Sequence, residues 1–284
     1  MKPARVCPSC GAPDLSLYCA RCGEKRITSI DHSLHRFFLE VLDAITSFDS
    51  KILRSTWFLV SRPGFLSAEW LEGRRVRYLS PLRIFVMLSI VYYLSNSIFP
   101  YNAFTTPLDT QLHLNNYYGE FAAEMVEEKL RSSGLGSAEF EVAYNRKTEV
   151  LSKTLLFSLI PVIALIFYAL FFRKRKYFAE HLAVATHFWA FALLLIGVFI
   201  PSLLLVLARV GPSIGIPAAV ITGDALPTLI IQSVFAIYLV LMLRRAYAVN
   251  YWYAGIVALA IAWSIFHIVW LFRFLLFLAT LWLL

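Results

Sequence analysis

Five long apolar runs, at about 82–99, 154–172, 182–208, 226–243 and 252–273, punctuate this chain, and polar stretches separate them. At ~1.5 Å per residue, runs of this length cover roughly 27–40 Å, enough to cross a ~30 Å hydrocarbon core. The pattern predicts an all-α membrane protein with about five transmembrane helices. Pro161 and Pro201 fall inside two of the runs, where kinks are tolerated. The last segment is too long for a simple span: Trp252–Leu284, as one straight helix, would reach about 50 Å. Beyond Arg273, residues 274–284 are therefore expected to bend along the interface or to pack on neighbours.

The polar stretches carry their own patterns. From 31 to 60, Leu34, Phe37, Phe38, Val41, Leu42, Ile45, Phe48, Ile52 and Leu53 recur at helical spacing and make one apolar face. Charges interrupt the pattern too often for a span. It predicts an amphipathic helix, lying on the membrane surface or packed on the protein's own membrane domain. Arg62-Pro63-Gly64 ends that helix, and Phe65–Glu72 reads as a second short one stopped by Gly73. The segment from about 100 to 152 carries eight acids. Phe121–Arg131 reads as a polar helix and Gly134-Leu135-Gly136-Ser137 as its break. Ala138–Val150 continues helically into the second run, and the acids read as those of a plain solvated loop, with a cation-attracting surface as the alternative.

Composition sharpens the class. The 284 residues are 59% hydrophobic with only 15% charged, and mean hydropathy is +0.67. These values exclude an ordinary soluble domain. The net charge of +8 does not point to nucleic acid, because the basic residues gather at the ends of apolar runs. Counted by side, 19 Lys and Arg fall with the N-terminus and 6 fall opposite. By the positive-inside rule the N-terminus is cytoplasmic and the C-terminus outside. Residues 1–7 contain no apolar stretch, so no cleavable signal peptide is expected. Arg74, Arg75, Arg77, Arg83, Arg173, Lys174, Arg175, Lys176, Arg244 and Arg245 would form a ring at the inner headgroups. Such a ring attracts anionic lipid, although setting topology would explain it too.

All four cysteines lie near the N-terminus, as Cys7-Pro8-Ser9-Cys10 and Cys19-Ala20-Arg21-Cys22. Two such turns aim four thiolates at one point and suit a tetrahedral zinc ion. A rubredoxin-like iron site and a redox pair are the alternatives. Four protein ligands leave no open position, so the role is structural. A ribbon of this size cannot bury a core and takes its folding energy from the metal.

These cysteines, Arg62-Pro63-Gly64, the run Gly73-Arg74-Arg75-Val76-Arg77-Tyr78, Pro81, Glu180-His181-Leu182 and His187 together resemble one family. It is a bacterial family of zinc-ribbon, multi-spanning membrane proteins catalogued only as a domain of unknown function. The resemblance covers nearly the whole chain. It implies a bacterial inner membrane and lends no activity.

Ionisable groups within apolar runs are costly and are candidates for chemistry by default. Glu180, His181, His187 and His267 form that set. Glu180 beside a cation, and His187 bonded to a neighbouring helix, are the plainer readings. No nucleotide loop, metalloprotease helix or serine elbow is present. The expected organisation is a cytoplasmic ribbon (1–26), amphipathic surface helices (27–81) and a helical membrane domain (82–284) with an external acidic loop at about 100–152. The function read first is an anchor, scaffold or assembly factor, with the ribbon docking a protein partner and the bilayer holding the rest. A transporter using Glu180 and His187 and an intramembrane lipid-modifying enzyme are the alternatives. A homo-oligomer is compatible with each.

Overall fold

The computed structural model describes residues 6–13, 17–24, 51–99, 104–113, 118–215, 217, 223 and 225–284. Residues 31–50, most of the expected amphipathic helix, lie outside the described residues. Regular structure among the described residues is helical: α1 (Lys51–Ser61), α2 (Phe65–Leu71), α3 (Pro81–Ile98), α4 (Leu108–His113), α5 (Gly119–Ser133), α6 (Ser137–Leu155), α7 (Leu159–Phe171), α8 (Phe178–Leu194), α9 (Ile200–Val210), α10 (Ala225–Tyr247) and α11 (Tyr251–Leu283). A 3-10 turn links α6 to α7, and a π-helical turn, Leu195–Phe199, links α8 to α9. Five helices or fused runs are long and apolar enough to cross a membrane: Pro81–Ile98, Ser137–Phe171, Phe178–Ile214, Ala225–Tyr247 and Tyr251–Leu283. This is a multi-pass membrane protein of the all-α class.

The described residues divide into two compact units. The first comprises Met1–Pro100 and Ile160–Ala262, the second Tyr101–Leu159 and Trp263–Leu284. At the centre of the first is α8, in which every side chain from His181 to Leu194 is buried. A helix apolar on all sides needs neighbours on all sides. One of them is α3, whose start is well marked: Ser80 Oγ accepts from Arg83 N–H, and Pro81 stands where no N–H is needed.

The proline at 201 explains how α3 and α8 lock together. Pro201 has no N–H to give the carbonyl four residues earlier, that of Gly197. The helix loosens there into the π turn. The freed carbonyl accepts from the Ser95 hydroxyl of α3. Gly197 has no side chain, and a Cβ there would meet the Tyr92 ring at 2.6 Å. Late in α3, Tyr92 and Ser95 meet Gly197, while the helix otherwise packs on α8, which precedes Gly197, so the two run parallel. Counting back from the Tyr92–Gly197 contact, the start of α3 at Pro81 and Leu82 is level with about residues 186–187 of α8, at ~1.5 Å per residue.

The turn between α1 and α2 is pressed onto α10. Gly64 has φ 76°, and a Cβ there would lie 2.7 Å from both Cα and O of Met242. Ser55 and Leu59 of α1 and Leu66, Ser67 and Leu71 of α2 are buried. Leu59 O accepts from Tyr238 Oη at 3.0 Å, and Ser55 Oγ accepts from Leu79 N–H at 3.0 Å. Glu72 caps α2 and Gly73, at φ 85°, turns the chain out, so the stop read at Gly73 is where the helix ends.

The second unit refines two expectations. The helices read at 121–131 and 138–150 are present as α5 and α6 on either side of the Gly134–Gly136 break, but they are not simply solvated: with α4 they share a core of Leu108, Ala122, Val126, Phe140, Tyr144, Phe277 and Leu281. The acids sit on the outer faces of amphipathic helices, so a high acid count and a buried face coexist. The C-terminal turns do not bend along an interface: α11 is unbroken to Leu283. Phe277 and Leu281 are buried in that core, and Thr148 Oγ1 donates to Thr280 Oγ1 at 3.1 Å. Packing on neighbours, the other expectation for this segment, is what holds the tail.

Candidate metal centre

The two cysteine turns are near copies of each other. Cys7 N–H donates to Ala12 O and Cys19 N–H to Glu24 O, both at 2.8 Å. Gly11 N–H donates to Cys7 O at 2.9 Å and Gly23 N–H to Cys19 O at 2.8 Å. Both glycines have φ 72°, a left-handed conformation that lets each loop curl back over its sulfurs. All four Sγ atoms lie within 4.8 Å of one another, and the Cys7–Cys22 and Cys10–Cys19 separations are each 3.6 Å. One metal ion could be held by all four. Without metal, the backbone N–H groups of Arg21 and Cys22 stabilise the Cys19 thiolate and bring that thiol down to about 7.

The ribbon is fastened to the rest of its unit by one carboxylate. Glu24 is 2% exposed. Its Oε2 accepts from Ser9 Oγ at 2.5 Å, Arg75 N–H at 3.0 Å and Val76 N–H at 3.3 Å. Arg77 adds a longer bond to Ser9 O at 3.4 Å. One acid thus ties the first cysteine turn to the strand of chain that leads into α3. Hydrogen bonds to a charged group contribute about 1.5–3 kcal/mol each. Glu24→Ala is expected to free the ribbon without unfolding it, since no cysteine is touched. Limited proteolysis in mild detergent would then cut between the ribbon and α3 faster than in the natural chain, at unchanged metal content.

This fastening also sorts the basic ring. Arg74 is held by Glu69 and Glu72, which raise its pKa further by hydrogen bonding. Arg75 lies over the Trp70 ring, 4.1 Å from its centroid. Arg175 faces Glu180 at 3.6 Å. Arg244 lies 3.5 Å over the Tyr251 ring, and Arg245 donates to Pro63 O at 3.0 Å. Arg173 lies near the Phe172 ring at 5.7 Å, while Lys174 is exposed and Lys176 is exposed too. Arg83 stands in the first turn of α3, its N–H given to the Ser80 cap, and Lys174 and Lys176 lie in the link before α8. Several of these cations therefore hold the protein's own parts together.

Within the first unit, Glu180, His181 and His187 each bond a different partner. Glu180 caps the start of α8, accepting from Tyr177 N–H at 3.2 Å. His181 is buried; its Nε2 faces Arg175 O at 3.1 Å and its Nδ1 faces Tyr247 Oη at 2.9 Å. A carbonyl only accepts, so Nε2 carries the proton and Nδ1 takes one from Tyr247. Phe171 stacks on Tyr247 at 4.1 Å, and the ends of α7, α8 and α10 meet there. Tyr247→Phe removes that donor alone and is expected to lower stability by about 1–3 kcal/mol, the penalty for a buried acceptor left unpaired, read as a lower thermal midpoint. His187 bonds Ser67 of α2, with Nδ1 and Oγ 3.1 Å apart, and its Nε2 is buried without a hydrogen-bond partner. It sits level with Leu82, near the start of α3. His267 is exposed in the second unit, where its Nδ1 faces Trp263 O of its own helix at 3.1 Å.

Sequence reasoning missed Glu24. An acid beside a cysteine turn is common, and its partners stand 51 and 52 residues away. It also missed Ser67, an ordinary hydroxyl in a short helix.

A family model described as "Protein of unknown function (DUF3667)" matches residues 49–93. That stretch holds α1, the Arg62-Pro63-Gly64 turn, α2, the arginines from 74 to 83 and most of α3. The cysteines, His181 and His187 lie outside it. Neither the curated proteins nor the solved structures give a match.

Proposed function

We propose that this protein is a membrane anchor whose ribbon holds one structural zinc ion and docks a protein partner. The observation that carries this reading is the Glu24 fastening. A metal module needed only for its own folding has no reason to be held in register against the chain entering α3, whereas a docking platform does. The sulfur separations suit zinc: a Zn–S distance of ~2.3 Å in a tetrahedron gives edges of about 3.8 Å, near the 3.6 Å between Cys7 and Cys22 and between Cys10 and Cys19. All four ligands come from the protein, which favours structure over catalysis. The excess of basic residues on the N-terminal side supports a cytoplasmic ribbon and an outward C-terminus. The resemblance to zinc-ribbon membrane proteins supports a bacterial inner membrane. In this reading residues 1–26 are the platform, 27–81 rest at the membrane surface, and the acidic helices between 100 and 152 are external.

The test is a mild-detergent pull-down from native membranes with mass spectrometry. It compares the natural chain, Glu24→Ala, and the double variant Cys19→Ser, Cys22→Ser. A partner present with the natural chain, weakened with the first variant and lost with the second supports an anchor. The same partners in all three would overturn it.

A further inference from the structure

We propose that the outward face of α1, carried by Leu53 and Trp57, is a lipid-contact surface. It is seated at the bilayer interface on the ribbon's side of the membrane, and its occupant is the upper acyl region of the phospholipids there.

The helix has two faces. Ser55 and Leu59 are buried against the first unit, while Leu53 is 83% and Trp57 69% exposed. Leu53 and Trp57 are four apart, so they share one face. A large leucine and a tryptophan left bare side by side call for an apolar partner.

Depth says which partner. Ser55 is bonded to Leu79 N–H, two residues before Pro81 and the start of α3. With 18 residues, α3 is about 27 Å long, close to the hydrocarbon thickness, so its first turn marks the boundary of the core. Leu59 reaches Tyr238, and Tyr238 stacks on Phe191 with centroids 3.7 Å apart. Phe191 lies four residues beyond His187, which is itself level with Leu82, so α1 descends about one turn below that boundary. Trp57 lies between Ser55 and Leu59, at the depth where indole rings settle, with an apolar body and a polar N–H edge.

Charge agrees. Exposed Arg54 stands on the same helix and exposed Arg62 just after it, and Arg245 donates to Pro63 O beyond its end. Cations beside an apolar face suit a phosphate layer over acyl chains. The proposal does not depend on zinc or on partner docking.

The test reconstitutes the full chain in phospholipid vesicles and reads tryptophan fluorescence. Trp57→Phe isolates the emission of Trp57 as a difference. Phospholipids brominated near the headgroup end of the chain should quench most of that difference. Those brominated near the methyl end should quench less, and iodide in the water should quench little. Quenching by iodide without quenching by brominated lipid would overturn the proposal, because the face would be in water. Protection from both would overturn it equally, because protein would cover the face. Leu53→Trp in the Trp57→Phe background reads the same surface from a second position and should give the same order.

Discussion

Gly64→Ala will lower the thermal unfolding midpoint of the detergent-solubilised protein more than Gly134→Ala or Gly255→Ala does. Two effects combine there. The added Cβ would lie 2.7 Å from the Cα and O of Met242, and both are backbone atoms of α10 that no rotamer change can move. Overpacking of that kind costs about 1–3 kcal/mol. The φ of 76° adds about 1–2 kcal/mol for a residue with a side chain. Together they come to about 2–5 kcal/mol, a large share of a typical stability. Two comparisons separate the causes. Gly134 has φ 70° and nothing within 4 Å of its Cβ position, so Gly134→Ala carries the conformational part alone. Gly255 has open space and stands inside α11, so Gly255→Ala should be neutral or stabilising by up to about 1 kcal/mol. Equal midpoints for Gly64→Ala and Gly134→Ala would show that the close approach to Met242 does not matter.

On the proposed zinc reading, removing the metal will unfold the ribbon and leave the helices in place. Structural zinc contributes about 10–16 kcal/mol at neutral pH, and a ribbon this short has no core to replace it. The helices rest on separate packing, around Phe85, Phe188 and Trp189 in the first unit. A chelator, or Cys19→Ser with Cys22→Ser, should abolish zinc content and open the ribbon to protease at Arg21. The far-ultraviolet circular dichroism should stay nearly unchanged. The pH dependence follows from the thiols. Metal binding requires thiolates, and backbone N–H groups lower the Cys19 thiol to about 7. Its depressed pKa favours metal uptake above that value, and uptake weakens as pH falls through it. Titrating zinc affinity against pH checks this: affinity that is flat from pH 8 to about 5 would contradict it.

Helix number and class were legible because a span needs a long uncharged run, and little else in a chain has one. The run at 82–99 and α3 differ by one residue at each end. The core of the second unit was harder. Phe140, Tyr144, Thr148 and Ser152 recur every four residues and are all buried. Their polar members and the acids between them hid the face. Arg62-Pro63-Gly64 reads correctly as a helix stop, yet sequence alone does not reveal that Gly64 is also where α10 comes closest. The cysteine turns are local and were readable, since each places its sulfurs by its own backbone. Glu24, Ser67 and Tyr247 act through partners far away in sequence, and a single sequence carries no trace of such pairings. The basic residues were legible as clusters at the ends of apolar runs, but not how many of them bond the protein itself.

The most direct test of the central claim, a metal-folded ribbon fastened to the chain entering α3, is hydrogen exchange at the amides of Arg75 and Val76. Both donate to Glu24 Oε2. With zinc bound they should be protected, and a chelator should make them exchange at the rate of free chain while the amides of α8 stay slow. Fast exchange of Arg75 and Val76 with zinc bound, or the same slow exchange with and without it, would contradict the account.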